Sequence, residues 1–195
     1  MFIFDVETLG IESTCVILSA GLIYFDPEKQ PDYQQLLDDA CFVKLKSKDQ
    51  VERLGRTISK DTIEWWKNQH EYTRKVSFDP SSEDLFAEDA IQKLKDYMAK
   101  YPTPEKQTMW ARGSLDQVAI DSLCVRLDIN PITTYNMWRD VRTAVDCFTG
   151  STNGYCEVDH PTFKRHNVIK HHPVHDCALD AIQLMYGKSS IIFRT

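Results

Sequence analysis

At 195 residues, with 42% hydrophobic and 11% aromatic side chains, the chain can close one sizeable core and falls within the span of a single domain, residues 1–195. Charged residues of both signs make up 27%, which excludes a disordered or fibrous class, and no apolar run reaches the roughly 20 residues of a membrane span. A net charge of −6 and a pI near 5.5 exclude holding a polyanion by bulk electrostatics, so any such partner must be held locally, with bound divalent cations as one source of positive charge.

The opening MFIFDV is a short apolar run ending in a carboxylate, and Val16 to Phe25 reads as a second, longer strand ended by Asp26-Pro27. Cys41 to Leu45 is a third strand, so the first part of the chain predicts a three-stranded meander. Helices follow. Ser59 and Asp61 can cap one through IEWWKNQ, and Ser81 or Ser82 a longer one over residues 84–100, stopped at Pro102. Thr108 to Ala111 predicts a buried strand, followed by a helix over Leu115 to Leu127. A further helix over Val141 to Phe148 leads into a long polar segment without periodicity, which reads as an irregular loop. The last element is a helix around CALDAIQLMYG, with Gly187 suited to its C-terminal cap.

The N-terminus lacks the basic region of a signal peptide, and the six cysteines (Cys15, Cys41, Cys124, Cys147, Cys156, Cys177) form no C-x-x-C pair. Reduced thiols, a cytoplasmic location and no membrane partner are the expectation.

Three clusters carry chemistry. Asp5 and Glu7 stand two apart at the end of a strand, hence on one side of it, where paired carboxylates repel unless a cation lies between them. Oxygen ligands at that range suit Mg²⁺ or Mn²⁺, although a strand running into a solvated acidic turn has the same pattern. Asp116 follows the Arg112-Gly113-Ser114 turn near the start of a helix, where helix-dipole chemistry is the plainer explanation; Asp121 is its rival. His175 and Asp180 are five apart and do not share a helix face. They could converge if His175 sits on the loop before the helix, where a histidine near neutrality is suited to deprotonate water; a helix N-terminal histidine without a partner is the alternative.

Taken together, D-V-E-T-L-G at the N-terminus, a mid-chain aspartate after a strand, and H-x-x-x-x-D in a C-terminal helix resemble the three motifs of the DEDDh exonuclease superfamily. T-I-E-W-W-K-N-Q, W-A-R-G-S-L-D, W-R-D-V-R-T and H-D-C-A-L-D resemble the T-even phage 3'-5' exodeoxyribonuclease branch, with mycobacterial-type 3'-5' exoribonucleases as a related branch. The resemblance spans nearly the whole chain. It implies an α/β ribonuclease H-like fold whose mixed central sheet has three antiparallel strands, then parallel ones, with flanking helices. It also implies two Mg²⁺ or Mn²⁺ ions, one held by Asp5, Glu7 and Asp180 and the other by Asp5 and Asp116, with His175 as general base. Thr8, Leu9 and Gly10 would meet the terminal nucleotide through backbone and an apolar wedge. The product would be a nucleoside 5'-monophosphate released from a single-stranded DNA 3' end. Sibling folds form dimers, so a homodimer is one implied assembly state.

Trp65 and Trp66 are adjacent on a predicted helix and face different directions; one belongs to the core, and we assign the substrate-facing ring to Trp66. Ser114 and Arg139 are further candidates for substrate contact. Arg139 and Arg142 share a face, and their alternative partners are Asp140 and Asp146. Lys164, Arg165, His166, Lys170, His171 and His172 make the late loop basic, which would guide a single strand or simply be solvated. The histidines and cysteines there fit no zinc ribbon or finger spacing. Two other readings stand beside DNA exonuclease: an exoribonuclease acting on RNA ends, since nothing announces contact with a 2'-hydroxyl, and a silent single-strand binding module.

Overall fold

The computed structural model describes residues 1–188. In chain order the elements are β1 (Phe2–Thr8), β2 (Ile17–Tyr24), α1 (Tyr33–Asp38), β3 (Cys41–Lys44), α2 (Ser47–Glu52), α3 (Lys60–Lys67), α4 (Glu71–Thr73), α5 (Ala87–Met98), β4 (Met109–Ala111), α6 (Leu115–Arg126), β5 (Trp138–Asp140), α7 (Val141–Thr149) and α8 (Pro173–Tyr186). The sheet order is β3-β2-β1-β4-β5. β1 pairs antiparallel with β2 and β2 with β3, while β4 joins β1 in parallel and β5 joins β4 in parallel. This mixed sheet with helices on both faces is the ribonuclease H-like fold.

Strand alternation decides which helix each face receives. Phe2, Phe4 and Val6 point to one side, into a core with Ala90, Ile91 and Leu94 of α5 and Ala119, Ile120 and Leu123 of α6. Ile3 points to the other, into a core with Val174, Cys177, Ala178, Ala181 and Ile182 of α8 and Tyr33 and Leu36 of α1. Asp5 and Glu7 share the parity of Ile3, so β1 turns both carboxylates towards α8.

Ser59 caps α3 as the sequence suggests, accepting from the Thr62 amide at 3.3 Å. The longer helix differs from expectation: neither Ser81 nor Ser82 caps it, and it starts at Ala87. Leu85 is held in extended backbone, its amide donating to the Lys44 carbonyl and its carbonyl accepting from the Lys46 amide, each at 2.8 Å. α8 starts at Pro173, one turn earlier than expected, which carries His175 into the helix. Gly187 follows α8 in an extended conformation; its glycine is needed for space, since a Cβ there would lie 2.6 Å from the Gln183 carbonyl oxygen and 2.7 Å from Cys156 Sγ. No helix among the described residues is long and apolar enough to cross a membrane.

Candidate active site

The carboxyl end of β1 gathers side chains from three other elements. Asp116, in the first turn of α6, accepts a hydrogen bond from the Val6 amide at 3.0 Å and so sits between Asp5 and Glu7 along the strand. The turn leading to it is pinned from β5: Asp140 Oδ2 accepts from the Gly113 amide at 2.8 Å, while its Oδ1 caps α7 by accepting from the Thr143 amide at 2.7 Å. Gly113 lies at φ +89°, a left-handed conformation that glycine adopts without penalty.

The fourth wall is α8. Gly21 of β2, which pairs with Asp5 across the ladder, gives α8 its seat, because a Cβ at Gly21 would lie 2.6 Å from the Pro173 carbonyl carbon. Cys177 Sγ reaches the Gly21 carbonyl at 3.5 Å. With its first turn pressed onto the sheet, α8 presents Asp176 and Asp180, one helical turn apart, to Asp5 and Glu7.

Five carboxylates thus feel one another at this end of β1, Asp116 and Asp180 buried and Asp5, Glu7 and Asp176 partly so. Burial first, then repulsion from Asp116 and Glu7, holds Asp5 well above the usual carboxylate range. Burial raises Asp116 to about 7 against the opposing Val6 hydrogen bond, and raises Asp176 to about 7 with help from Glu7 and Asp180. Asp5 Oδ2 is buried with no hydrogen-bond partner. An orphaned acceptor among like charges is the arrangement a hard cation relieves, so the residues fit Mg²⁺ or Mn²⁺. A ligand atom from each of Glu7, His171 and Asp176 lies within 4.8 Å of the others.

Two basic side chains border the cluster. Arg112 donates from Nε at 2.9 Å and Nη2 at 2.6 Å, both to Asp180 Oδ1. His171 Nδ1 lies 3.7 Å from Glu7 Oε1, an approach that raises the His171 pKa. His171 is held at φ +59° by its surroundings: its carbonyl accepts from Ser77 Oγ at 2.8 Å, and Trp65 meets its ring edge-on at 4.8 Å.

His175 is placed differently from expectation. It lies inside α8, and its Nδ1 is 2.8 Å from the Tyr33 hydroxyl and 3.4 Å from the donating Ile169 amide. With an amide N–H directed at it, Nδ1 is an acceptor, so Tyr33 donates and the neutral ring carries its proton on Nε2. Burial lowers the His175 pKa.

The remaining candidates divide. Trp66, assigned above to substrate, is 1% exposed, its Nε1 donating to the Thr8 carbonyl at 3.0 Å and its ring stacked on Phe78; the apolar space under β1 and β2 needs a large ring there. Trp65, 42% exposed, is the ring that faces outwards. Leu9 likewise belongs to the core, with Val16, Leu18 and Trp66, and the exposed apolar side chain of this turn is Ile11, 82% exposed. Thr8 is buried, its hydroxyl donating to the Gly10 carbonyl at 2.6 Å, and Gly10 is packed against Cys15. Ser114 and Arg139 line one cavity with Gln117, beside Asp116. Asp140 and Asp146 are taken by backbone amides, and Arg139 donates to the Asn136 and Trp138 carbonyls.

Asp176, His171, Arg112 and Tyr33 are the members that sequence reasoning missed. Asp176 had a signal, since it stands four residues before Asp180. Arg112 stands in the turn before Asp116 and His171 in the basic late loop, with nothing to mark either as a neighbour of the carboxylates, and Tyr33 comes from a segment with no motif.

Residues 1–185 match the family described as the 3'-5' exoribonuclease Rv2179c-like domain. The chain is also similar to an exodeoxyribonuclease of Enterobacteria phage T4, at 30% identity over 203 residues that cover 95% of this chain and 88% of the phage protein. Matched over nearly all its described length, the chain belongs to the Rv2179c-like family of 3'-5' exonucleases.

Proposed function

We propose that this chain is a DEDDh-type exonuclease that uses two divalent cations to remove nucleoside 5'-monophosphates from the 3' end of single-stranded DNA, and that it works in the cytoplasm as one domain. The observation that carries this reading is the meeting of Asp5, Glu7, Asp116 and Asp180 around β1, with Asp5 Oδ2 buried and unpaired. Asp5, Glu7 and Asp180 would hold one ion, and Asp5 and Asp116 the other. Cations there would supply Lewis acidity towards the phosphodiester and lower the pKa of an attacking water.

The chain's own residues set the rest. Arg112 occupies only Oδ1 of Asp180, which fixes that carboxylate's orientation. His175 is the base. In the resting tautomer Nε2 carries the ring proton, so for Nε2 to accept a proton from water the ring must first hold its own on Nδ1. Tyr33 can follow that change by turning from donor to acceptor, with burial keeping its phenol protonated, while the Ile169 amide, which can only donate, must give up Nδ1 as its acceptor. One observation favours a second reading of the base: His171, not His175, lies against Glu7.

DNA is favoured because the similarity to the phage exodeoxyribonuclease runs through 95% of the chain; the family description supports RNA as the alternative. The test is digestion of matched 5'-labelled single-stranded DNA and RNA with Mg²⁺ or Mn²⁺, comparing the intact chain with Asp5→Ala, His175→Ala and His171→Ala. We expect a ladder shrinking from the 3' end, abolished by Asp5→Ala and slowed about 10² to 10⁴-fold by loss of the base. The faster substrate decides DNA or RNA, and the more damaging histidine substitution decides the base. Retention of both strands without shortening would overturn the enzyme reading in favour of a binding module.

A further inference from the structure

Beyond the carboxylates, the irregular segment between α7 and α8 encloses a cavity of about 510 Å³ lined by Tyr155, Cys156, Glu157, Val158, Phe163 and Arg165. Its size is that of a site for a small organic group. Two of its walls touch the partners of the candidate catalytic side chains. On one side, the Arg112 guanidinium that binds Asp180 lies over the Tyr155 ring at 4.1 Å. On the other, Phe163 packs edge-on against Tyr33 at 5.4 Å, and Tyr33 is the residue bonded to His175. The cavity therefore begins one side-chain layer from both Asp180 and His175.

The lining chemistry is selective. Tyr155, 42% exposed, and Phe163 offer aromatic surface, and the Arg165 guanidinium stands 5.9 Å from the Tyr155 ring. Lys164 and His166 flank Arg165, so this is a locally basic stretch in a chain of net charge −6. Glu157 is the opposing charge in the lining, an acceptor of the kind that suits a base amino group and not a phosphate. Aromatic rings beside a guanidinium suit a nucleobase with its attached phosphate, because stacking tolerates any base and the cation takes the backbone.

We propose that this cavity seats a nucleotide upstream of the scissile one, its base against Tyr155 and Phe163 and its phosphate on Arg165. The inference rests on the exonuclease reading for the direction of the strand. The cavity then sets the shortest substrate bound with full affinity and supplies grip that the acidic cleft lacks.

The test has two arms. In the first, KM and kcat of the intact chain, Arg165→Gln and Phe163→Leu are measured on single strands of two to eight nucleotides. The expected result is a rise in KM of about 5 to 100-fold, with kcat little changed, confined to strands long enough to reach the cavity. Equal effects at every length, or none, overturn the proposal. In the second, the same substitutions are placed in Asp116→Asn and binding of 5'-fluorescent single strands is followed by anisotropy. Length-dependent loss of binding there supports the cavity even if no chain cleaves, and so separates failure of the subsite from failure of the exonuclease reading. Thermal melts of each variant exclude misfolding, and Arg165→Gln, at an exposed residue, keeps the test decisive if Phe163→Leu disturbs Tyr33.

Discussion

Trp66 shows how one side chain can serve the site without facing it. Its indole N–H satisfies the Thr8 carbonyl directly after Glu7, where the β1–β2 register shifts, and its ring stacks on Phe78. Trp66→Phe keeps an aromatic ring but orphans that buried carbonyl, which costs about 1 to 3 kcal/mol. Urea unfolding should show that loss, together with lower kcat, because Glu7 is no longer backed by a fixed Thr8. A loss of stability with kcat intact would show that the bulge positions nothing. At this scale positions in the elements were legible in part: Asp5 and Glu7 lie on the expected strand and Asp116 in the first turn of the expected helix, whereas Asp180 lies in the middle of α8 and not near its start. Which of two adjacent tryptophans is buried was not legible, since a step of about 100° on a helix does not say where the core lies. The same holds for Leu9 and Ile11, whose roles are set by the turn between β1 and β2 and not by their hydrophobicity.

Among the elements, α8 is the one whose placement assembles the site. Its first turn rests on Gly21, and the nearest atoms to an added Cβ are backbone, which cannot yield as a side-chain tip would. Gly21→Ala should therefore lift the start of α8 and destabilise the chain by about 1 to 3 kcal/mol. Cleavage should fall more steeply than the melting temperature, since Asp176 and Asp180 move with the helix. Normal cleavage in the folded variant would refute this account of the seat. The alternation of β1 made its inward face readable, but nothing in the sequence places Gly21 opposite Asp5, because strand register depends on the β1–β2 connection. The start of α8 was misplaced for a local reason. Pro173 at the first helical position is a helix-start signal, yet the His-rich stretch before it reads as loop. Likewise Asp32, which caps α1 reciprocally with Gln35, lies in a polar stretch too short to show periodicity.

For the whole molecule, the buried carboxylates link folding to pH. Burial raises Asp116 and Asp176 to about 7 in the folded chain, against about 3.9 for an aspartate in water. Between pH 6 and 8 the folded state thus binds more protons than the unfolded state, and stability falls as pH rises. Buried His172, lowered to about 4, has the opposite sign, but its effect is confined below 6.5, where unfolded histidines begin to charge. Above that value two other groups titrate with the carboxylates: His171, raised by its bond to Glu7, shares their sign, and the Met1 amino group, lowered to about 6 by burial, opposes them. In chelator, the intact chain should lose roughly 1 to 3 kcal/mol more unfolding free energy from pH 6 to 8 than a chain carrying both Asp116→Asn and Asp176→Asn, in which the amino group and His171 still titrate, and Mg²⁺ or Mn²⁺ should restore most of that difference. Equal pH dependence of the two chains in chelator would mean that Asp116 and Asp176 are not held protonated by burial and their neighbours.

Cys177 lies beneath the carboxylates, 0% exposed, with its Sγ on the Gly21 carbonyl; burial first, then the carboxylates, push its pKa well above the thiol range. A reagent in solvent can reach it only when α8 parts from the sheet. Its alkylation rate, followed by mass spectrometry at that residue, is therefore a clock for how often the site comes apart. Exposed Cys147 supplies the unprotected reference in the same molecule. Cations that clamp Asp180 to Asp5 would slow that clock without touching the sulfur.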